Sequence, residues 1–132
     1  NGVALAGHVI VGNYAIIGGL AAIHQFIQIG DHAMISGGSL VRKDVPPYTK
    51  AAKEPLSYVG INSVGLRRRG FTSEKIREIQ DIYRILYQKN YNTSQAVGII
   101  EAEMSASPER DEILDFIRNS SRGIMKGYSG NF

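Results

Sequence analysis

The chain has 132 residues, 43% of them hydrophobic and 20% charged, a composition typical of one globular domain that folds in water rather than of a disordered or membrane-embedded protein. Fifteen lysines and arginines oppose twelve acidic residues, so the position of the positive charge matters more than its small excess. The absence of cysteine excludes disulfides and thiolate chemistry, and the lack of a ~20-residue apolar span or a signal peptide favours the cytoplasm.

The first third of the chain is an internal repeat of six residues. From Leu5 onward the sequence divides into LAGHVI, VGNYAI, IGGLAA, IHQFIQ, IGDHAM, ISGGSL and VRKDVP, and every unit begins with an aliphatic residue. A helix would space its apolar residues by about 3.6 positions and a single strand by two, whereas a six-residue period is typical of short strands joined by tight corners. The repeat therefore predicts a parallel β-helix over residues 1–48, which ends where Pro46 and Pro47 interrupt the ladder.

Three units per triangular coil would bring residues 18 apart into vertical register, at about the 4.8 Å spacing of adjacent strands. The aliphatic first positions then form a buried column inside the coil. Because the repeat starts at a unit boundary and its first coil would be uncovered, we expect earlier coils in a longer chain. The first positions are Leu5, Val11, Ile17, Ile23, Ile29, Ile35 and Val41.

The periodicity changes after a connector over residues 49–71, which carries a basic loop. Residues 72–132 have apolar residues at three- and four-residue steps and predict a helical C-terminal domain of three helices. The stretch beyond Met125 has no periodic signal and is expected to be loose. The predicted helices run from Ser73 to about Lys89 behind a cap at Thr72, onward from a cap at Thr93, and from Pro108 to about Asn119 behind Ser107.

Stacking places two of the three histidines near one corner of the coil. His24 lies one coil below a position two residues from His8, so both imidazoles can share a site beside Gln25. Such a pair could offer positive charge or hydrogen-bond donors to an oxyanion or a phosphate; a structural role in the coil is the alternative. A zinc site would need a third imidazole on that face, so no metal is expected. His32, beneath Tyr14, is interpreted as an ordinary surface or corner residue.

Two other patterns suggest ligand contacts. Gly19 and Gly37 are 18 residues apart and would leave a groove along the outside of the coil for an aliphatic tail; ordinary corner geometry is the alternative for each glycine alone. The arginines 67–69 could be a solvated charge run, a nucleic-acid patch or a phosphate clamp. Nucleic acid is disfavoured because no aromatic platform accompanies the cluster, so a phosphate or pyrophosphate after Asn62 is the better guest.

Four segments carry a resemblance to a known family. LAGHVIVGNYAIIGGLAAIHQFIQIG, DVPPY, GINSVGLRRRGF and SSRG occur in this order, and together they closely resemble the C-terminal half of the acyl-carrier-protein–UDP-N-acetylglucosamine O-acyltransferases. The resemblance implies a mainly β plus α fold, in which a left-handed parallel β-helix precedes a three-helix domain, assembled as a homotrimer with active sites between subunits. It implies transfer of an (R)-3-hydroxyacyl group from acyl carrier protein to the 3-hydroxyl of UDP-N-acetylglucosamine, the first step of lipid A biosynthesis, without a cofactor, nucleic acid or membrane insertion.

The resemblance also implies roles for individual catalytic residues. The backbone N–H of Gly7 would face the tetrahedral oxyanion, and His8 and His24 would line the sugar and diphosphate site. The general-base histidine of the family lies upstream of the matching region, so the 132 residues alone are expected to be inactive and His8 has a supporting role.

The substrate contacts implied by the resemblance lie partly on the neighbouring subunit. Gln25 would contact the nucleotide sugar, Asn62 the uridine end, and Arg68 with Arg69 the phosphates. The acyl-chain groove is implied at Gly19, Met34 and Gly37, where glycine at position 37 would permit a longer chain.

Two other functions stay open. The later N-acyltransferase of the same pathway shares the six-residue repeat, although the long helical tail after the arginine cluster argues against it. A non-catalytic trimeric β-helix that binds a nucleotide sugar or a carrier protein is the alternative from a different class.

Overall fold

A computed structural model describes residues 2–88 and 90–128, and the first part of the chain in it winds through seven two-residue strands. Each strand pairs in parallel with the strand three places later, so three strands complete one triangular coil. The strands are β1 (Ala4–Leu5), β2 (Ile10–Val11), β3 (Ile16–Ile17), β4 (Ala22–Ile23), β5 (Gln28–Ile29), β6 (Met34–Ile35) and β7 (Leu40–Val41).

The strand register confirms the predicted 18-residue spacing. Leu5 pairs with Ile23 and Ile23 with Val41 on one face, and the two other faces repeat the same offset. Because successive residues of a strand point to opposite faces, the second residue of each strand points into the coil. Ile35 and Val41 are fully buried, whereas Leu5 in the first described coil is 55% exposed.

The repeat shortens after Val41, which the sequence analysis did not predict. Val45 was expected beneath Ile27, but it bridges to Ile29, only 16 residues earlier. The physical reason is Asp44, whose buried carboxylate accepts a hydrogen bond from the backbone N–H of Gln28 at 2.8 Å and another from the Ser120 hydroxyl. The carboxylate thus takes the place of a backbone carbonyl in the ladder, and the seventh six-residue unit departs from the pattern.

The segment predicted as a connector contains regular structure. Strand β8 (Thr49–Ala52) extends the sheet of β3 and β6 in parallel, and β9 (Ser57–Ile61) returns antiparallel to it. The predicted basic loop is instead a short helix, α1 (Ser63–Arg68). Its missing signal is its length, because six residues are too few to show a helical period. The division of the chain at residues 48 and 71 stays a prediction.

Three longer helices follow, as predicted, so the described residues contain one helix more than expected. Thr72 and Ser107 act as caps, but the middle cap is Asn92 rather than Thr93, because its side chain accepts from Gln95 N and Gln95 reaches back in a capping box. The prediction of a loose end beyond Met125 is wrong as far as residue 128, and residues 129–132 and Lys89 lie outside the described residues. The elements are α2 (Ser73–Gln88), α3 (Thr93–Glu103), α4 (Pro108–Arg118) and β10 (Lys126–Gly127), which pairs with β9.

Buried tyrosines join the helices to the coil. The Tyr83 hydroxyl of α2 donates to the carbonyl of Pro47 at 2.6 Å, and that of Tyr87 donates to the carbonyl of Met125 at 2.8 Å. Around them, a core that is separate from the inner column of the coil packs the helices together. This attachment fixes where α1 and α4 lie against the coil. The largest fully buried side chains of this helical core are Tyr83, Leu66, Ile79, Ile82, Ile100, Ile113 and Leu114.

The inward and outward positions of one face should differ in their effect on stability. Ile29→Ala removes a side chain that is 2% exposed and should lower the free energy of unfolding by about 2–5 kcal/mol, because it leaves a cavity in the column. Ile10→Ala on the same face changes a side chain that is 61% exposed and should cost less than about 1 kcal/mol. Urea denaturation of both variants measures this, and equal losses would contradict the assignment of the inner face.

Candidate functional site

One corner of the coil carries a stack of aromatic rings. Tyr14, His32 and Tyr48 occupy it on three successive coils, and each has a left-handed backbone with φ of 60°, 60° and 70°. The ring centroids of Tyr14 and His32 are 5.1 Å apart, and those of His32 and Tyr48 are 5.7 Å apart, in stacked geometry. Phe71 contacts the His32 ring edge-on at 5.2 Å. The stack holds the His32 ring on both faces.

Asn62 fixes helix α1 against this corner. Its backbone N–H donates to the carbonyl of Tyr48 at 2.8 Å, and its side-chain Nδ2 donates to the carbonyl of His32 at 3.0 Å. Its Oδ1 accepts from Gly65 N as the N-cap of α1. The side chain is therefore buried and used in the fold, and the arginines at the end of α1 are placed beside the stack.

The space between α1 and the coil is a cavity of about 380 Å³, which we call the arginine groove. The Arg69 guanidinium lies over the Tyr14 ring, 3.9 Å from its centroid, in the geometry of a cation–π contact. The neighbouring Arg67 is not among the residues of its wall. A groove with two guanidinium groups and an exposed aromatic ring suits an anionic group attached to a flat ring. The groove is lined by Tyr14, Ala15, Ile16, His32, Asn62, Gly65, Arg68 and Arg69.

The charge of the groove comes from the arginines and not from the histidine. Burial lowers the pKa of His32 below its ordinary value of 6.5, and the positive charge of Arg69 lowers it further. The neighbouring Asp31 carboxylate opposes this effect only in part. His32 is thus neutral at pH 7, with Arg68 and Arg69 as the cations of the groove.

The predicted histidine site lies at a different corner. His8 and His24 are in the segments that join β1 to β2 and β4 to β5, and both side chains are exposed, as is that of Gln25. The ring that stacks on His8 is Phe26, with centroids 5.1 Å apart. The backbone N–H of Gly7 has no hydrogen-bond partner in the described part of the chain. The catalytic roles of these residues stay predictions.

Basic side chains approach the histidine corner from later in the chain. The Arg122 guanidinium lies 5.8 Å from the Phe26 ring centroid, and Lys43 Nζ donates to the carbonyl of Arg122 at 2.9 Å. Neither side chain was singled out from the sequence as a neighbour of the histidines. Their approach depends on the path of the chain after α4, which no sequence periodicity reports.

The stacked glycines lie at the third corner and approach each other closely. The amide of Gly38 donates to the carbonyl of Gly19 at 2.8 Å, and a Cβ on Gly37 would lie 3.0 Å from that same carbonyl oxygen. Both glycines are exposed, and Met34 on β6 is half-buried. Close backbone contact therefore accounts for part of the alignment, and the acyl-chain groove stays a prediction.

Sequence reasoning missed the members of the aromatic stack. His32 was interpreted as an ordinary corner residue, but it lines the groove together with Asn62, Arg68 and Arg69. The signal was available, because Tyr14 and His32 are 18 residues apart, as are His8 and Phe26. Applying the coil spacing to aromatic rings as well as to aliphatic ones would have found both stacks.

The far end of the aromatic stack is bonded to helix α4. The Tyr48 hydroxyl donates to Glu112 Oε1 at 2.6 Å. Burial raises the pKa of Glu112 above 4.5. The hydrogen bond from Tyr48 opposes that change, whereas the carboxylates of Asp31 and Glu109 add to it.

Replacing Glu112 should change how stability depends on pH. Because its folded-state pKa is raised, the stability that this carboxyl contributes is complete below pH 4.5 and is lost as the pH rises through the raised value. Glu112→Gln stays neutral at every pH and can still accept from Tyr48. The variant should therefore gain stability relative to the unmodified chain between pH 4 and pH 7. Urea denaturation at both pH values tests this, and an equal difference at the two would refute it.

Neither a metal centre nor a membrane-spanning helix is found in the part of the chain that the structure describes. No three side chains of histidine, cysteine, aspartate or glutamate there are grouped so that they could hold a metal ion. Residues 2–88 and 90–128 also contain no helix with the length and apolar character needed to cross a bilayer.

The fold and the comparisons with known proteins define the class. The left-handed parallel β-helix with C-terminal helices is the fold of solved nucleotide-sugar acyltransferases. Residues 44–125 match the family described as UDP-N-acetylglucosamine O-acyltransferase, domain 2. The chain belongs to the UDP-N-acetylglucosamine O-acyltransferase family, as the resemblance of its motifs indicated.

Individual relatives agree with this assignment. An acyl-[acyl-carrier-protein]–UDP-N-acetylglucosamine O-acyltransferase of Myxococcus xanthus is 43% identical over 114 residues, which cover 86% of this chain and 44% of that protein. The UDP-N-acetylglucosamine acyltransferase structure from Bacteroides fragilis matches with a TM-score of 0.90 and 48% identity, over 96% of this chain and 52% of that one. That from Francisella novicida gives 0.92 and 39%, over 98% and 48%. The chain thus spans about half the length of these relatives.

Proposed function

We propose that this chain supplies the nucleotide-sugar-binding part of an enzyme that transfers an (R)-3-hydroxyacyl group from acyl carrier protein to the 3-hydroxyl of UDP-N-acetylglucosamine, the first step of lipid A biosynthesis. The observation that carries the proposal is the arginine groove, where Arg68 and Arg69 lie beside an exposed tyrosine ring. The substrates named for the relatives in the family support it. A homotrimeric assembly and a cytoplasmic location belong to the same proposal.

The groove suits the nucleotide diphosphate. The guanidinium groups of Arg68 and Arg69 can donate to the phosphate oxygens in pairs of parallel hydrogen bonds. The Tyr14 ring, which is 56% exposed, offers an apolar surface beside them for the nucleoside. Asn62 has its side-chain amide partly engaged in the fold, so its contact to the uridine end would use the remaining N–H or lone pair.

The reaction is an acyl transfer from a thioester to an alcohol. The sugar oxygen attacks the thioester carbonyl, a base takes the hydroxyl proton, and collapse of the tetrahedral intermediate breaks the C–S bond and releases the protonated thiol. The Gly7 N–H would donate to the oxyanion of that intermediate. His8 and His24, exposed at the same corner of the coil, would orient the sugar and diphosphate, and neither is assigned as the base.

Removal of one guanidinium from the groove should weaken nucleotide binding. We expect Arg69→Ala to raise the Kd for UDP-N-acetylglucosamine about tenfold or more, because a hydrogen bond to a charged group is lost. Arg67→Ala is the matched control, since it removes the same charge from α1 outside the groove wall, and it should change the Kd less than about threefold. Isothermal titration calorimetry compares them; equal effects would mean that the cluster acts only through its net charge.

The third corner should influence the length of the acyl chain. In the full-length enzyme, Gly37→Met places a long side chain on the outside of the coil and should shift the preference toward shorter acyl donors. Gly37→Ala is the control, because it meets the same Gly19 carbonyl oxygen at 3.0 Å but adds a single methyl group, and its shift should be smaller. Rates with a series of acyl donors measure the preference, and thermal unfolding checks that both variants fold. An unchanged profile in the methionine variant would disprove the groove.

A further inference from the structure

His32 is the one titratable side chain of the arginine groove that no role has been given. It lines the groove together with both arginines. The Tyr14 and Tyr48 rings cover its two faces, so only the edge of the imidazole, where the nitrogens lie, is left for a ligand. Within the described ranges neither ring nitrogen makes a hydrogen bond. The ring is therefore held in place while its polar atoms are free.

The charged groups around His32 come from three parts of the fold. Asp31 precedes it in the coil and favours its protonated form, whereas Arg69 after α1 disfavours it. Arg68 lines the same groove. From α4, Glu112 reaches the stack through the Tyr48 hydroxyl, with the Glu109 carboxylate acting on both of these groups. The phenols of Tyr14 and Tyr48 are not charged between pH 5 and pH 8.

We propose that His32 is a further binding residue of the arginine groove, which takes up a proton when a diphosphate binds and then donates a hydrogen bond to it as a third cation beside Arg68 and Arg69. The inference rests on the proposed function, because it assumes that the diphosphate of the nucleotide sugar occupies this groove.

The physical basis is the change in charge that an anion brings. In the free groove the His32 pKa is low because of burial and of Arg69. A bound diphosphate offsets the positive charge of the arginines and favours the imidazolium. A ligand that raises the pKa of a group must bind more tightly when the group is protonated. Affinity should therefore increase as the pH falls through the range in which His32 titrates.

The chain provides a template for a variant that cannot titrate. His32 has a left-handed backbone with φ of 60°, and Phe26 adopts the same conformation with φ of 67° at the neighbouring corner, in a stack with His8. Phenylalanine at position 32 can thus keep both the corner and the ring stack. His32→Phe removes the proton site and little else.

The experiment is calorimetric titration of the chain with UDP-N-acetylglucosamine, whose diphosphate carries no titrating proton in this range. Near pH 6, titrations in two buffers of different ionisation enthalpy give the number of protons taken up. We expect clear uptake by the unmodified chain and an affinity about threefold to tenfold higher at pH 5.5 than at pH 8, since one unit of pKa is worth a factor of ten. His32→Phe should bind with nearly unchanged affinity at pH 8, but with no uptake and no gain at low pH. Glu112→Gln should retain both.

The outcomes separate the two proposals. Binding without proton uptake, or uptake that persists in His32→Phe, would overturn the role of His32 and leave the nucleotide-sugar site intact; persistent uptake would report another group, such as His8 or His24. Loss of uptake in Glu112→Gln instead of His32→Phe would transfer the proton to α4 and also overturn the inference. No heat with the unmodified chain at any pH would overturn the proposed function itself.

Discussion

The structure depends on the vertical register of the coils. Each strand contributes only two residues, too few to be stable alone, and becomes stable because its backbone bonds to the coil above and below while one side chain enters the apolar column. The register allows no slip, because a shift of one residue would turn every aliphatic side chain outward. All the ligand-binding surfaces considered above are corners of this coil, so their geometry is inherited from the column.

The column was also the part that the sequence predicted best. Aliphatic residues every six positions specify the inward ladder, and the pairing of Leu5, Ile23 and Val41 follows directly from them. The amphipathic runs in α2 and α4 and the cap at Ser107 were equally readable. These signals are local, and they repeat often enough for their period to be counted.

What the sequence did not predict depends on contacts between distant residues. The shortened coil follows from the Asp44 carboxylate, whose bond to Ser120 spans 76 positions. Helix α1 is a single short segment, fixed by an Asn62 side chain that bonds to a coil 30 residues earlier. The importance of His32 arises only when α1 is folded over it. Periodicity cannot report single events of this kind, and the roles carried over from the family resemblance named Asn62 and the arginines but not the ring between them.

The left-handed corners have a consequence for how such a protein can change. Seven residues other than glycine adopt positive φ, and their identities range over histidine, tyrosine, phenylalanine, leucine and lysine. The backbone thus imposes the same bend whatever side chain it carries, although such a conformation costs of order 1 kcal/mol for each residue. A corner of the coil is therefore an exchangeable socket: mutation can swap the ring it displays, and so alter which molecule is recognised, without rebuilding the scaffold underneath.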